Sequence, residues 1–172
     1  FDAHLLKSNI TTGAWRAPYS NFLAFAEQSF FDEIAQELGV DETQLRIDLF
    51  KKAKPTWDAH KVAEERHKAD EKALAEAIKP LLPKGNYEPE RCIGVINLVK
   101  EKSNWGKEPK SVSQGICVYF SHKTYVAEVA NVVMKNGKPT IDKVYAAIDC
   151  GLVVNPDAAT NLAEGGIIDG VG

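Results

Sequence analysis

Asn136-Gly137 stands between two runs rich in β-branched residues, Thr124 to Met134 and Thr140 to Ile148, and this arrangement constrains the chain more than any other feature. A tight two-residue turn needs positive φ at both central positions, which Asn and Gly accept, and its twist matches that of the flanking strands. The pattern therefore predicts an antiparallel hairpin. Cys92 to Val99 and Gly115 to Phe120 share the same Val, Ile and Tyr character and are expected as two further strands. Between them Lys100 to Ser113, with its Ser, Asn, Gly, Pro and charged side chains, is expected as an exposed loop.

The first half of the chain has a different period. Phe22, Phe25, Ala26, Ser29, Phe30, Ile34 and Leu38 recur at helical spacing, and Gly39 follows as a stop signal. Asp41 suits the cap of a second helix carrying Leu45, Ile47, Leu49 and Phe50. Pro55-Thr56 predicts the start of a third, Trp57 to Ile78, whose mixed Glu, Lys, Ala and His read as a solvated face, ended by Pro80, Pro83, Gly85 and Pro89. Phe1 to Ile10 is expected as a short strand, and Asn155-Pro156 as the cap of a closing helix with Pro in its first turn. The sum is an α+β fold: N-terminal helices, a mainly antiparallel sheet, then a closing helix. Its expected division is a helical part over 1–90 and a β-rich part over 91–172.

Composition narrows the functions. A chain of 172 residues that is 44% hydrophobic and 26% charged can bury one core. Its formal net charge of −3, with both signs interspersed, does not suit nucleic acid. No stretch approaches the roughly 18 apolar residues that a membrane-crossing helix needs. The chain begins at Phe1, its single Met is Met134, and it is expected to be a piece of a longer protein. Cys92, Cys117 and Cys150 lack a Cys-x-x-Cys spacing and are expected as buried free thiols, with one disulfide as the alternative. His60 and His67 lie seven apart without a third ligand, so no metal ligands are assigned. Neither a Gly-x-Ser-x-Gly elbow nor a phosphate-binding Gly-rich loop is present.

Two short clusters carry more specific chemistry. In Thr12-Gly13-Ala14-Trp15-Arg16-Ala17-Pro18, Pro18 biases Ala17 away from helical angles and Gly13 admits angles closed to other residues. Arg16 is thereby expected beside the free N–H groups of a helix start, a setting suited to an anion or a cofactor's polar edge. Near the other end Ile148-Asp149-Cys150-Gly151, Asn155-Pro156 and Glu164-Gly165-Gly166 follow one another. Together with Gly115-Ile116 and Tyr125-Val126-Ala127-Glu128-Val129, these motifs occur in an order that resembles the large subunit of molybdenum hydroxylases of the xanthine dehydrogenase family. The nearest branches are the isoquinoline 1-oxidoreductase beta subunits and related aldehyde oxidoreductases, and the resemblance runs from about Thr12 to Gly172.

The resemblance implies a molybdopterin-binding domain, cut short at its C-terminal end, of an oxidoreductase that hydroxylates N-heterocycles or oxidises aldehydes with water as oxygen source. It implies molybdenum-molybdopterin, in its cytosine dinucleotide form, as cofactor of the intact enzyme, and an iron–sulfur small subunit as electron partner. Trp15, Arg16, Ala17, Leu162, Gly165 and Gly166 fall on cofactor-contacting positions, with Gly165 and Gly166 in a segment expected to begin a helix. Leu162 stands where many members carry a Gln that bonds the cofactor, and an apolar side chain supplies no such bond. Val118 and Tyr119 match a segment lining the substrate cavity, although in a strand such positions alternate between core and exposed face. Ala17-Pro18 replace a Gly-Phe pair of xanthine dehydrogenases, which argues against a purine pocket of that type. The family's catalytic glutamate lies in a Gly-Glu-Pro motif downstream of Glu-Gly-Gly. The nearest strings here, Tyr87-Glu88-Pro89 and Lys107-Glu108-Pro109, lack the Gly, so no catalytic residue is assigned and the isolated chain is expected to be inactive. The alternative is a non-catalytic scaffold or interaction domain that keeps the fold without the cofactor, a choice that Leu162 favours. Compartment stays open between the periplasm and cytoplasm of a bacterium.

Overall fold

The computed structural model describes residues 9–11, 13, 20–67 and 87–172; for 21, 22, 56, 57 and 59–67 it describes the backbone alone. The expected strand at Phe1 to Ile10 lies almost wholly outside these residues.

Helix α1, Ser20–Leu38, forms where the helical spacing predicts it, but Phe25, Phe30 and Leu38 of the expected apolar stripe are exposed and the buried positions are Gln28 and Ala35. It ends where expected: Gly39 adopts φ +62°, and Val40 donates its N–H back to the Ala35 carbonyl at 3.0 Å. The left-handed step costs Gly little and turns the chain at once into the next helix. Asp41 then caps α2, accepting from the Gln44 N–H at 2.9 Å and, through its other oxygen, from Trp105 Nε1 at 2.8 Å. Helix α2 runs unbroken over Glu42–His67, with Pro55 inside it. The separate helix expected from Trp57 therefore does not start there: its first eleven residues continue α2, and its remainder lies outside the described residues. Lys54, one residue before the proline, bridges Asp58, one turn on, at 2.8 Å, and Glu90 across the interface.

The largest departure from expectation is Cys92 to Val99, which is helical, not a strand. Helix α3, Pro89–Lys102, buries Cys92, Val95, Ile96 and Val99. Those positions are i, i+3, i+4 and i+7, one helical stripe, and tertiary packing of that stripe overrides the β-propensity of its valines and isoleucines. Pro89 and Glu90 in the first turn and Lys100 and Lys102 in the last suit the helix dipole. The helix runs through the expected 90/91 division, packing on α2 and on the sheet alike.

Three strands follow as an antiparallel meander in the order β1-β2-β3: β1 Val112–Ser121, β2 Thr124–Lys135 and β3 Lys138–Asp149. The Asn136-Gly137 hairpin forms as predicted, with φ +52° and +74° and Lys135 opposite Lys138. His122 and Lys123 make a second two-residue turn at φ +50° and +63°. The expected loop at Lys100 to Ser113 is only partly exposed: Ser103 is fully buried, Trp105 half-buried, and both ends belong to regular elements. One face of the sheet, formed by Ile116, Val118, Tyr125, Ala127, Val129 and Ala147, packs on the α3 stripe and on Ile47 of α2 to make the core.

Helix α4, Pro156–Val171, closes the chain. Asn155 caps it as predicted, its side chain accepting from the Ala158 N–H at 3.1 Å, but the helix has no buried residue. An α+β architecture thus holds across the described residues. No helix among them is long and apolar enough to cross a membrane.

Candidate functional site

The face of the sheet turned away from α3 is not sealed. Gly115, Cys117, Tyr119, Glu128, Ala130 and Val144 form the floor of a groove of about 460 Å³, walled by Phe25 and Gln28 of α1 and by Gly166, Ile167 and Gly170 of α4. Strand alternation decides which side chains reach it. Of the expected substrate-contacting pair, Tyr119 faces the groove, half-buried, while Val118 points the other way into the core with 5% of its surface exposed.

The Glu-Gly-Gly segment lies well inside α4 and not at its start, because the helix begins at Pro156. Leu162, Gly166 and Gly170 are spaced by four and so share one stripe of this helix. Leu162 is 79% exposed. A glycine inside a helix costs about 1 kcal/mol relative to alanine, and no packing contact in the described chain requires it here: beyond the helix's own neighbouring backbone, nothing lies within 4 Å of where a Cβ would stand on Gly165 or Gly166. The pair leaves a bare backbone strip that a bound group can approach. Leu162, on the same stripe, offers an apolar side chain and no hydrogen-bonding group. Trp15, Arg16 and Ala17 lie outside the described residues.

Asp149, first residue of Asp-Cys-Gly, has a structural task. Its two carboxylate oxygens accept from Arg91 Nε at 2.7 Å and Nη2 at 2.6 Å, and one also accepts from the Gly151 N–H at 3.2 Å. The Arg91 guanidinium, which also stacks 4.3 Å from the Tyr125 ring centre, holds the Asp149 carboxyl below the usual aspartate range. This fork–fork pair ties the end of β3 to the start of α3 and fixes where the chain departs toward α4. Gly151, at φ +80°, makes that departure sharp.

Electrostatics in the groove is set by burial. The Glu128 carboxyl is pushed up by desolvation. Cys117, whose thiol donates to Glu128 at 4.0 Å, is pushed up to about 11 by burial and then by that carboxylate, so it is a thiol at neutral pH. Burial, with Glu27 nearby, also raises the Tyr119 phenol. The three cysteines are free, but they are not uniformly buried as expected: Cys92 is buried, Cys117 intermediate and Cys150 exposed. His122 sits exposed in its turn with Nδ1 2.8 Å from Ser121 Oγ. The side chains of His60 and His67 are outside the description, and among the described residues no group of three or more His, Cys, Asp or Glu could hold a metal.

Arg46 escapes a reading of the sequence altogether. Only 3% exposed, it pairs with Asp32 at 2.7 Å and donates to the carbonyl of Ile116 at 3.2 Å and of Glu42 at 3.1 Å. Gln28 Oε1 accepts from the Val118 N–H at 3.0 Å. These two side chains thus satisfy the outer edge of β1 and hold the strand bearing Tyr119 against α1. Flanked by Leu45 and Ile47, Arg46 looks like any helix-surface cation, and no sequence signal singled it out.

Two comparisons bear on this geometry. A family model described as the molybdopterin cofactor-binding domain matches residues 27–172. The chain is also 26% identical over 153 residues to the isoquinoline 1-oxidoreductase subunit beta of Brevundimonas diminuta, an alignment that covers 86% of this chain and 15% of that relative. No solved structure matches the chain.

Proposed function

The chain belongs to the family of molybdopterin cofactor-binding domains, and from that premise we propose that it is the part of a molybdenum hydroxylase large subunit that borders the cofactor with α4 and with the Trp15-Arg16-Ala17 loop. The observation that carries this is the Gly165–Gly166 strip, whose missing side chains leave open space that no part of the described chain uses. When bound, molybdopterin supplies a molybdenum centre that takes two electrons from a substrate whose new oxygen comes from water. The chain's own residues do the positioning. Gly165 and Gly166 let the helix backbone approach the cofactor, Leu162 packs on it, and the Arg16 loop offers backbone donors to its polar edge. Tyr119 contacts the substrate, an aldehyde or an N-heterocycle; Val118, in the core, supports the strand that presents it. The base that activates water belongs to another part of the longer protein, and electrons leave to an iron–sulfur subunit. The cofactor carries the cytosine dinucleotide extension.

The test is metal and pterin analysis of the full-length protein co-expressed with its small subunit. Near-equimolar molybdenum and pterin are expected, with loss of both in Gly166→Leu, whose side chain would occupy the strip. A wild-type protein that folds without molybdenum would move the assignment to a non-catalytic scaffold, the second reading, which the apolar Leu162 favours.

A further inference from the structure

The groove that Tyr119 faces has a charge imbalance that cofactor binding at α4 does not use. Its lining contains two carboxylates, Asp32 and Glu128, and no Lys, Arg or His. Asp32 is already neutralised by Arg46 at 2.7 Å. Glu128 is not: among the described residues no cation is paired with it, and its neighbour at 4.0 Å is the neutral Cys117 thiol, while burial raises its carboxyl. A carboxylate on the floor of an apolar groove costs free energy unless a counter-ion arrives. Aromatic rings line the same groove, Tyr119 on its floor and Phe25 on its wall, and aromatic faces attract organic cations. A volume of about 460 Å³ is in the range of small-molecule sites.

We propose that this groove is a binding site for a small organic cation with an apolar body, an aryl- or alkylammonium, with Glu128 as its counter-ion. Recognition is by charge at the floor and by apolar contact with Val144 beside it and Ile167 on the wall. The groove shares Tyr119 and Gly166 with the substrate and cofactor surfaces proposed above, so the cation would sit beside those groups, while its charge recognition needs only Glu128.

Calorimetric titration of the full-length protein with benzyltrimethylammonium, and separately with benzyl alcohol as the neutral comparison, tests it. Saturable binding of the cation is expected, with benzyl alcohol at least tenfold weaker. Glu128→Gln, nearly isosteric, is expected to weaken the cation at least tenfold and leave benzyl alcohol unchanged. Ala130→Leu, which fills the floor, is expected to weaken both. Absence of saturable cation binding, as when another part of the longer polypeptide covers the groove, overturns the proposal, and so does equal affinity for the neutral compound or full affinity in Glu128→Gln. If Glu128→Gln loses its cooperative melting transition, Ala130→Leu decides: cation binding that survives a filled floor overturns the site.

Discussion

The two faces of the sheet are made by the same three strands and have opposite characters. The face toward α3 is closed by an apolar helical stripe, with Tyr125, Ala127 and Val129 essentially inaccessible. The face toward α1 and α4 keeps a groove, a carboxylate with no counter-ion among the described residues, and a helix with no buried residue at all. Adjacent residues serve different ends: Val118 contributes burial, Tyr119 contributes a surface that a ligand can touch. Core and groove positions therefore alternate with a period of two along each strand, and substitutions one residue apart fall on different faces.

The sharpest test of that separation is Ile96→Ala against Val132→Ala. Ile96 is wholly buried on the sealed side, and its truncation should cost about 3 kcal/mol by chemical denaturation. Val132, on the groove side and half-buried, should cost about 1 kcal/mol or less. Equal losses would show that both faces are core. Next in size, Arg16→Ala in the full-length enzyme should lower turnover on the order of 100-fold by misplacing a preorganised donor, while stability changes by about 0.5 kcal/mol or less. Unchanged turnover at unchanged molybdenum content would overturn the role proposed for Trp15-Arg16-Ala17.

Titration separates the faces by sign. Arg91 depresses the Asp149 carboxyl, so this pair contributes stability above the ordinary aspartate range and loses it as pH falls through the depressed value. Asp149→Asn should lower the melting temperature at pH 7, and the gap to wild type should close in acid. Burial raises the Glu128 carboxyl instead, so its ionisation works against folding at neutral pH and is relieved once pH falls below the ordinary glutamate range. Glu128→Gln should melt at or slightly above wild type at pH 7 and lose that advantage near pH 4. A lower melting point at pH 7 would reveal a cation on Glu128 within the folded protein. The smallest effect is expected from Leu162→Gln: no measurable change in stability at so exposed a position, and molybdenum occupancy of the full-length protein kept or raised. Collapse of occupancy would mean that the cofactor surface is built around an apolar residue.

Local chemistry was legible in the sequence wherever a single residue settles a backbone angle or a cap. Gly39, Asp41, Asn136-Gly137 and Asn155 each act within a few residues of themselves, and each was placed by its type alone. The family, too, could be read from the order of Asp-Cys-Gly, Asn-Pro and Glu-Gly-Gly. The tertiary structure decided the rest, because it depended on partners far along the chain. Cys92 to Val99 has the composition of a strand and became a helix because its i, i+3, i+4, i+7 stripe found the sheet to pack against. Arg46 became a buried strut because Asp32 and the Ile116 carbonyl, 14 and 70 residues away in sequence, converge on it. The choice of Tyr119 over Val118 as the residue facing the groove was also open until the sheet acquired one sealed face, since a period of two names two faces and packing alone says which is buried.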